Sequence, residues 1–224
     1  MSDLPRRPRV RLNCAISLDG RLAYAQGRRA LLSGPQDLAR VMRIRADVDA
    51  ILVGVGTVLA DDPSLRVHWE RIGGPPGRSP VRVVLDSRGR VPEGAKVLDG
   101  SAPTIVATAT GCARRFPPSV TAVAVGHPRV DLPALLEHLA GRGIGSILVE
   151  GGAEVLASFL RGGFFDELTV YVAPVVIGGT TATPMVAGPE TPGASQAVPL
   201  TRVAAVPLDD GVLLTFRPGA RVPL

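Results

Sequence analysis

An acid closes an apolar run at Ile147-Leu148-Val149-Glu150, and the paired glycines Gly151 and Gly152 then lead into Ala153 and Glu154. The carboxyl ends of strands in α/β sheets are where ligands bind, and the N–H groups that open the following helix favour an anion. A second stretch has the same build: Ile51-Leu52-Val53-Gly54-Val55-Gly56-Thr57, followed by Leu59-Ala60-Asp61-Asp62-Pro63. Here the strand is expected to enter a Gly-x-Gly-Thr turn and then a short helical turn carrying two carboxylates. Glycines at such a turn let backbone approach a ligand. The stretch is neither a Walker A motif, lacking Gly-Lys-Ser/Thr, nor a full GxGxxG, since Leu59 stands where the third glycine belongs. Each motif also has a packing reading: a tight turn at Gly54–Thr57, and capping of the next helix by Glu150. Two strand–glycine–helix junctions in one chain point to a dinucleotide's pyrophosphate more strongly than either does alone.

Other polar residues carry narrower readings. Asn13 lies in an otherwise apolar strand, where its amide needs partners from backbone or from a ligand. Arg45, near the end of a helix apolar on that face, is either a surface charge or a phosphate clamp. His68 follows an extended segment, His127 precedes Pro128, and His138 falls on a helix. None has the spacing of a zinc hydrolase or zinc deaminase site. Ser17, Ser33 and Ser87 lack the Gly-x-Ser-x-Gly frame of a nucleophilic elbow.

The elements that must position these residues are legible as short β-branched runs alternating with helical patterns. Strands are expected at 10–15, 50–55, 81–85, 104–108, 121–125, 146–149 and 167–172. Several are nearly continuous apolar runs, as when both faces of a parallel strand are covered. Helices are expected at 36–46, opened by Ser33-Gly34-Pro35, and at 132–140 and 153–161. At the end of the chain, 201–207 and 212–217 flank Leu208-Asp209-Asp210-Gly211, the signal of a hairpin. The expected fold class is α/β, a mainly parallel sheet flanked by helices with an antiparallel C-terminal hairpin. Residues 1–224 are expected to form a single domain, with 1–8 a flexible arm.

Composition excludes several classes. The 224 residues are 46% hydrophobic and 20% charged, enough apolar material for a sizeable core and the opposite of a disordered chain. The net charge is +5, carried by 24 Arg and the single Lys96. Residues 1–100 hold 17 basic and 11 acidic side chains against 8 and 9 in the remainder. No basic run is interleaved with aromatics, so phosphate on a small ligand is favoured over nucleic acid. Cys14 and Cys112 make neither a disulfide framework nor a CxxC site, as for a reduced, cytoplasmic protein. There is no apolar secretory segment. The uncharged stretch near 168–189 contains Pro174, Gly178, Gly179 and Pro184 and reads as strand into loop rather than membrane span.

Taken in order, these pieces resemble the reductase family of riboflavin biosynthesis, whose fold is dihydrofolate-reductase-like. The resemblance rests on Asn13 through Leu18-Asp19-Gly20, on Arg45 through Thr57, and on Leu59 to Pro63. It continues through Val81 to Ser87, Ile147 to Gly152, Asp166 to Pro174 and Ile177 to Gly179. The chain begins almost at the reductase's first strand, like the stand-alone archaeal and fungal forms. That resemblance implies NADPH-dependent reduction of the ribosyl group of 2,5-diamino-6-(ribosylamino)-4(3H)-pyrimidinone 5′-phosphate, with hydride delivered to C1′ of the ring-opened imine. The alternatives are the deaminated 5-amino-6-(ribosylamino)uracil 5′-phosphate, or another heterocycle on the same fold. Asn13 and His68 stand where bifunctional bacterial members commonly place Lys and Arg, which agrees with the diaminopyrimidine. The resemblance further implies Glu150 as the catalytic acid facing the ribose. Thr57, Asp61, Ser87, Gly151, Gly152, Ala153 and Glu154 map to the cofactor. Asn13, Ser33, Arg45, Leu65 and His68 map with Glu150 to the substrate. No metal is implied, and a homodimer is expected. From position alone, Arg88 or Arg90 is expected at the cofactor's 2′-phosphate.

Overall fold

The apolar runs become strands close to where the sequence marks them. A computed structural model describes residues 7–189 and 191–220; of the proposed arm 1–8, residues 1–6 lie outside the described residues. In chain order the elements are β1 (Arg9–Ser17), β2 (Arg21–Ala25), α1 (Pro35–Asp47), β3 (Ala50–Gly54), α2 (Val55–Asp61), β4 (Val81–Leu85) and β5 (Thr104–Thr108). They continue with β6 (Val120–Ala124), α3 (Leu132–Gly141), β7 (Ser146–Val149), α4 (Ala153–Gly162), β8 (Glu167–Ala173), β9 (Ala182–Pro184), β10 (Leu200–Leu208) and β11 (Gly211–Pro218). The short strands β2 and β9 pair with each other, and Ala23 of β2 also bridges Arg29. Their sequences lack a clear two-residue alternation of apolar and polar side chains, so periodicity gives no sign of them. No described helix is long and apolar enough to cross a membrane.

Contacts divide the chain into two units, 1–9 with 41–149 and 10–40 with 150–224. In the first, β7, β3, β4, β5 and β6 lie side by side, every pair parallel. All five residues of β3 and of β5 are buried, the pattern of strands covered on both faces. Ile51, Val53, Val84, Val106 and Leu148 form the centre of its core, joined by Leu65 from a loop. Pro133 occupies the first turn of α3, whose N-cap Asp131 accepts from Ala134 N at 2.9 Å.

In the second unit β1 pairs parallel with β8, β8 antiparallel with β11, and β11 antiparallel with β10. The C-terminal hairpin forms as expected. Its turn is Asp209-Asp210, with Gly211 already paired to Leu208. That turn has a second role that no local pattern reveals. Asp209, at φ +52, accepts from Gln36 N at 3.0 Å and Asp37 N at 2.9 Å, so it caps α1 from 172 residues away. Gly34 makes room for it, since a Cβ there would lie 2.5 Å from the Asp209 carboxyl carbon. Asp209→Ala is expected to cost about 1 kcal/mol, read as a lowered urea midpoint at unchanged m-value. Beside the cap, the Tyr171 hydroxyl donates to Asp210 at 3.0 Å, and burial, reinforced by Asp210, pushes its pKa up to about 12.

Candidate active site

In the first unit, the sequence after β3 does not make the expected Gly-x-Gly-Thr turn. Gly54 is extended (φ −82°, ψ 155°) and α2 starts at once with Val55, so Gly56 and Thr57 are helical residues. Val55 and Val58 are buried, and pulling both into the core winds the chain immediately after the strand. Thr57 and Asp61 are two turn positions of this one helix, Asp61 its last residue. Asp62 closes it in the left-handed region and accepts from Lys96 N at 2.8 Å.

The chain then turns at Leu65, at φ +51 and 2% exposed. The Leu65 side chain is therefore core. A leucine held in that region stores on the order of 1–3 kcal/mol of strain. The segment after it is fastened to the last turns of α1: Arg45 Nη1 donates to Arg66 O at 2.7 Å, and His68 N donates to Met42 Sδ at 3.3 Å. His68 Nδ1 lies 3.1 Å from Glu70 Oε1. Three residues expected at the substrate, Arg45, Leu65 and His68, are thus gathered by one loop against one helix.

Ser87 follows β4, where a loop is pinned by Asp86, which accepts from Val91 N at 2.8 Å. The Ser87 hydroxyl accepts from Val130 N at 3.1 Å, tying this loop to the segment before α3. Arg88 and Arg90 are exposed on the same loop. Thr57, Asp61 and Ser87 all lie beyond the carboxyl ends of parallel strands, where α/β sheets bind ligands.

In the second unit, Glu150 is half-buried and begins the stretch leading to α4. Gly151, at φ +104, takes a conformation that disfavours any side chain, and Gly152 is the N-cap. Ala153 and Glu154 occupy the first turn, the carboxylate of Glu154 on the favourable end of the dipole. Four consecutive residues assigned to the cofactor therefore form one helix start with N–H groups left over by the helix. Ser33, half-buried, immediately precedes Gly34 and α1.

Asn13 is satisfied by neither backbone nor ligand as far as its oxygen goes. Oδ1 accepts from Arg40 Nη2 at 2.7 Å and from Thr169 Oγ1 at 2.8 Å. Sequence reasoning missed Arg40, Asp37 and Thr169. The one available signal was Asp37 and Arg40 at i, i+3 on a helix, which forms an ion pair at 2.7 Å. The adjacent Cys14 offers no nucleophile, because burial, opposed by Arg40, pushes its thiol up to about 12. Farther along, Asp19 accepts from Ser17 Oγ, Ile177 N and Gly178 N at 2.7–2.9 Å. The Ser17 hydroxyl first, then the Ile177 N–H, bring its pKa down to about 2. This contact joins the Leu18-Asp19-Gly20 turn to the Ile177-Gly178-Gly179 loop.

Residues 8–214 match the family model described as the RibD C-terminal domain. A 2,5-diamino-6-ribosylamino-4(3H)-pyrimidinone 5′-phosphate reductase of Methanothermobacter thermautotrophicus is 40% identical over 218 residues, covering 94% of this chain and 98% of that protein. The protein of the same name from Archaeoglobus fulgidus is 41% identical over 184 residues, or 77% and 83% of the two chains. Among solved structures, Acinetobacter baumannii RibD, form 1, superposes with a TM-score of 0.80 at 30% identity, over 96% of this chain and 59% of that one.

Proposed function

Because the chain belongs to the RibD C-terminal domain family, a reductase family of riboflavin biosynthesis with a dihydrofolate-reductase-like fold, we propose that it reduces 2,5-diamino-6-(ribosylamino)-4(3H)-pyrimidinone 5′-phosphate to the ribityl compound. The observation that carries this reading is the match to a stand-alone reductase of that name along 98% of the relative's length. On this reading the chain works as one reductase domain with NADPH as reductant. The donor set suits that cofactor: the free N–H groups opening α4 match a pyrophosphate, and the exposed Arg88 and Arg90 match a 2′-phosphate. When bound, NADPH supplies the hydride that C1′ of the ring-opened imine receives.

The chain's own residues then have defined tasks. Glu150 holds its carboxylate toward the iminium carbon and nitrogen and favours the cationic form, so that the positive charge that attracts hydride is kept. Gly151 to Glu154, Thr57, Asp61 and Ser87 orient the cofactor. Arg45 and His68, with Ser33 and Leu65, hold the ribose chain and its phosphate, while Asn13 faces the substrate. Most of the rate then comes from holding two ligands in line. Free Cys14 and Cys112 suit a cytoplasmic enzyme. A homodimer is supported by β10, the outer strand of its unit, whose Val203 and Val206 are 50% and 48% exposed; a long apolar edge of this kind asks for a cover.

The test is turnover with each pyrimidine, the diamino and the deaminated, and with NADPH and NADH. Oxidation of NADPH with the diaminopyrimidine at the higher kcat/KM is expected, and no oxidation with either pyrimidine ends the proposal. The paired substitution Arg88→Ala, Arg90→Ala is expected to raise the KM for NADPH about 10-fold or more, the worth of a charge-assisted bond, and to leave NADH kinetics unmoved. An equal loss with both cofactors would place the two arginines elsewhere.

A further inference from the structure

Four polar side chains meet inside the second unit, and the proposed reaction accounts for only one of them. Arg40 donates from Nε to Asp37 Oδ1 at 2.9 Å, and its Nη2 lies 2.7 Å from the same oxygen. That Nη2 also donates to Asn13 Oδ1 at 2.7 Å. Thr169, directly opposite Asn13 in the β1–β8 register, donates to Asn13 Oδ1 at 2.8 Å, with a longer contact of 3.3 Å to Leu12 O. Asp37, Asn13 and Thr169 are 1%, 7% and 8% exposed.

Guanidinium has donors and no acceptor, so a carboxamide beside it must present oxygen. Turning the Asn13 amide over would set its NH2 group against Arg40 and surrender both bonds to Oδ1, in a setting where unpaired polar groups are costly. The amide therefore has one orientation, with its oxygen consumed and its NH2 group turned away from both donors. Asp37 offsets the charge of Arg40, so position 13 offers a directed donor rather than a positive field. A lysine at 40 could match the charge of Asp37 but not the planar fork that bonds two partners at once.

We infer that Arg40 is a positioning residue for substrate recognition: with Asp37 and Thr169 it locks Asn13 as a fixed hydrogen-bond donor to a lone-pair-bearing oxygen or nitrogen of the pyrimidine substrate. This rests on the reading above that Asn13 faces that substrate. Arg40 acts only through Asn13, which separates it from a residue that merely holds the fold.

The test compares Arg40→Lys, and the neutral replacement Asp37→Asn with Arg40→Met should the first melt without cooperativity, with the unmodified protein. The KM for the pyrimidine is expected to rise 10-fold or more while the KM for NADPH stays within twofold. In an Asn13→Ala background, the Arg40 substitution is expected to add nothing, as for two residues in one linked path. In carbon-13 spectra the Asn13 Cγ resonance should move upfield in the variants as the bonds to Oδ1 are lost. A folded variant with unchanged pyrimidine KM, or losses that add in the Asn13→Ala background, overturns the inference. Turnover of neither pyrimidine by the unmodified protein removes the functional reading instead; the lock is then judged by the Asn13 resonance, and an unmoved resonance overturns it.

Discussion

Glu150→Gln is expected to lower kcat about 100-fold or more, the usual worth of one group aimed at developing charge, with the KM values and the melting temperature little changed. Glutamine keeps the volume and the hydrogen-bonding reach but removes the negative charge, so the interaction with the cationic imine is lost. About 100-fold corresponds to roughly 2.7 kcal/mol of transition-state stabilisation. A loss shared equally by kcat and kcat/KM marks an interaction made chiefly in the transition state. Steady-state kinetics beside a melting curve read the difference. If the variant melts early and the surviving folded fraction turns over normally, the acid serves the architecture of the α4 start rather than the chemistry.

The largest effect on stability is expected at Arg82→Met. Arg82 is fully buried in β4, and its guanidinium spends every face. Nε donates to Thr104 Oγ1 at 2.9 Å, Nη2 to Ala102 O at 2.8 Å, and Nη1 to Lys96 O at 3.0 Å and Asp99 Oδ1 at 2.9 Å. Methionine fills much of the same space but removes the guanidinium from the carbonyls of Lys96 and Ala102 and from Asp99, which keeps Ser101 and Arg66 as donors. The expected cost is about 3 kcal/mol, from buried acceptors that lose their donor at about 1–3 kcal/mol each, read from denaturant unfolding. The substitution also changes the acid limb. The Ser101 hydroxyl, then, against the opposing push of burial, the Ser101 N–H, Arg82 and Arg66, hold Asp99 well below the usual carboxylate range. A depressed native pKa contributes stability that is complete above the unfolded value near 3.9 and is lost as pH falls toward the native value. Without Arg82 the native value rises, so the pH-dependent part of the stability shrinks and the remainder is lost at higher pH. A stability profile between pH 2 and 6 that keeps the same shape in the variant would show that Arg82 does not stabilise the ionised Asp99.

Much of the scaffold was legible because the strands are self-announcing. Runs such as Ala50–Gly54 and Ser146–Val149 are apolar almost throughout, and the glycines beside them leave little freedom in where they end. The helix start at Gly151–Glu154 was legible for the same reason. Local pattern failed at Gly54–Thr57, where two glycines suggest a turn and the burial of Val55 and Val58 imposes a helix. It failed at Leu65 as well, because a leucine in the left-handed region is a consequence of its core contacts and not of its own preference. Nor does any spacing in the sequence disclose that Asp209 caps α1 or that Arg82 gathers residues 96–104.

The sequence by itself determined the alternation of strands and helices, the C-terminal hairpin, and the family to which the ordered blocks from Asn13 to Gly179 point. It also marked Glu150 and the helix start behind it, since both are properties of neighbouring residues. Only the tertiary structure decided how those polar groups are oriented. It turned Asn13 with Arg40 and Thr169, fastened the Arg66–His68 segment to α1, and buried Leu65 in the core. Periodicity follows from which face is buried, and one strand or helix is enough to show that. The direction of a hydrogen bond depends on donors and acceptors brought together from distant parts of the chain, and those meet only once the core has closed.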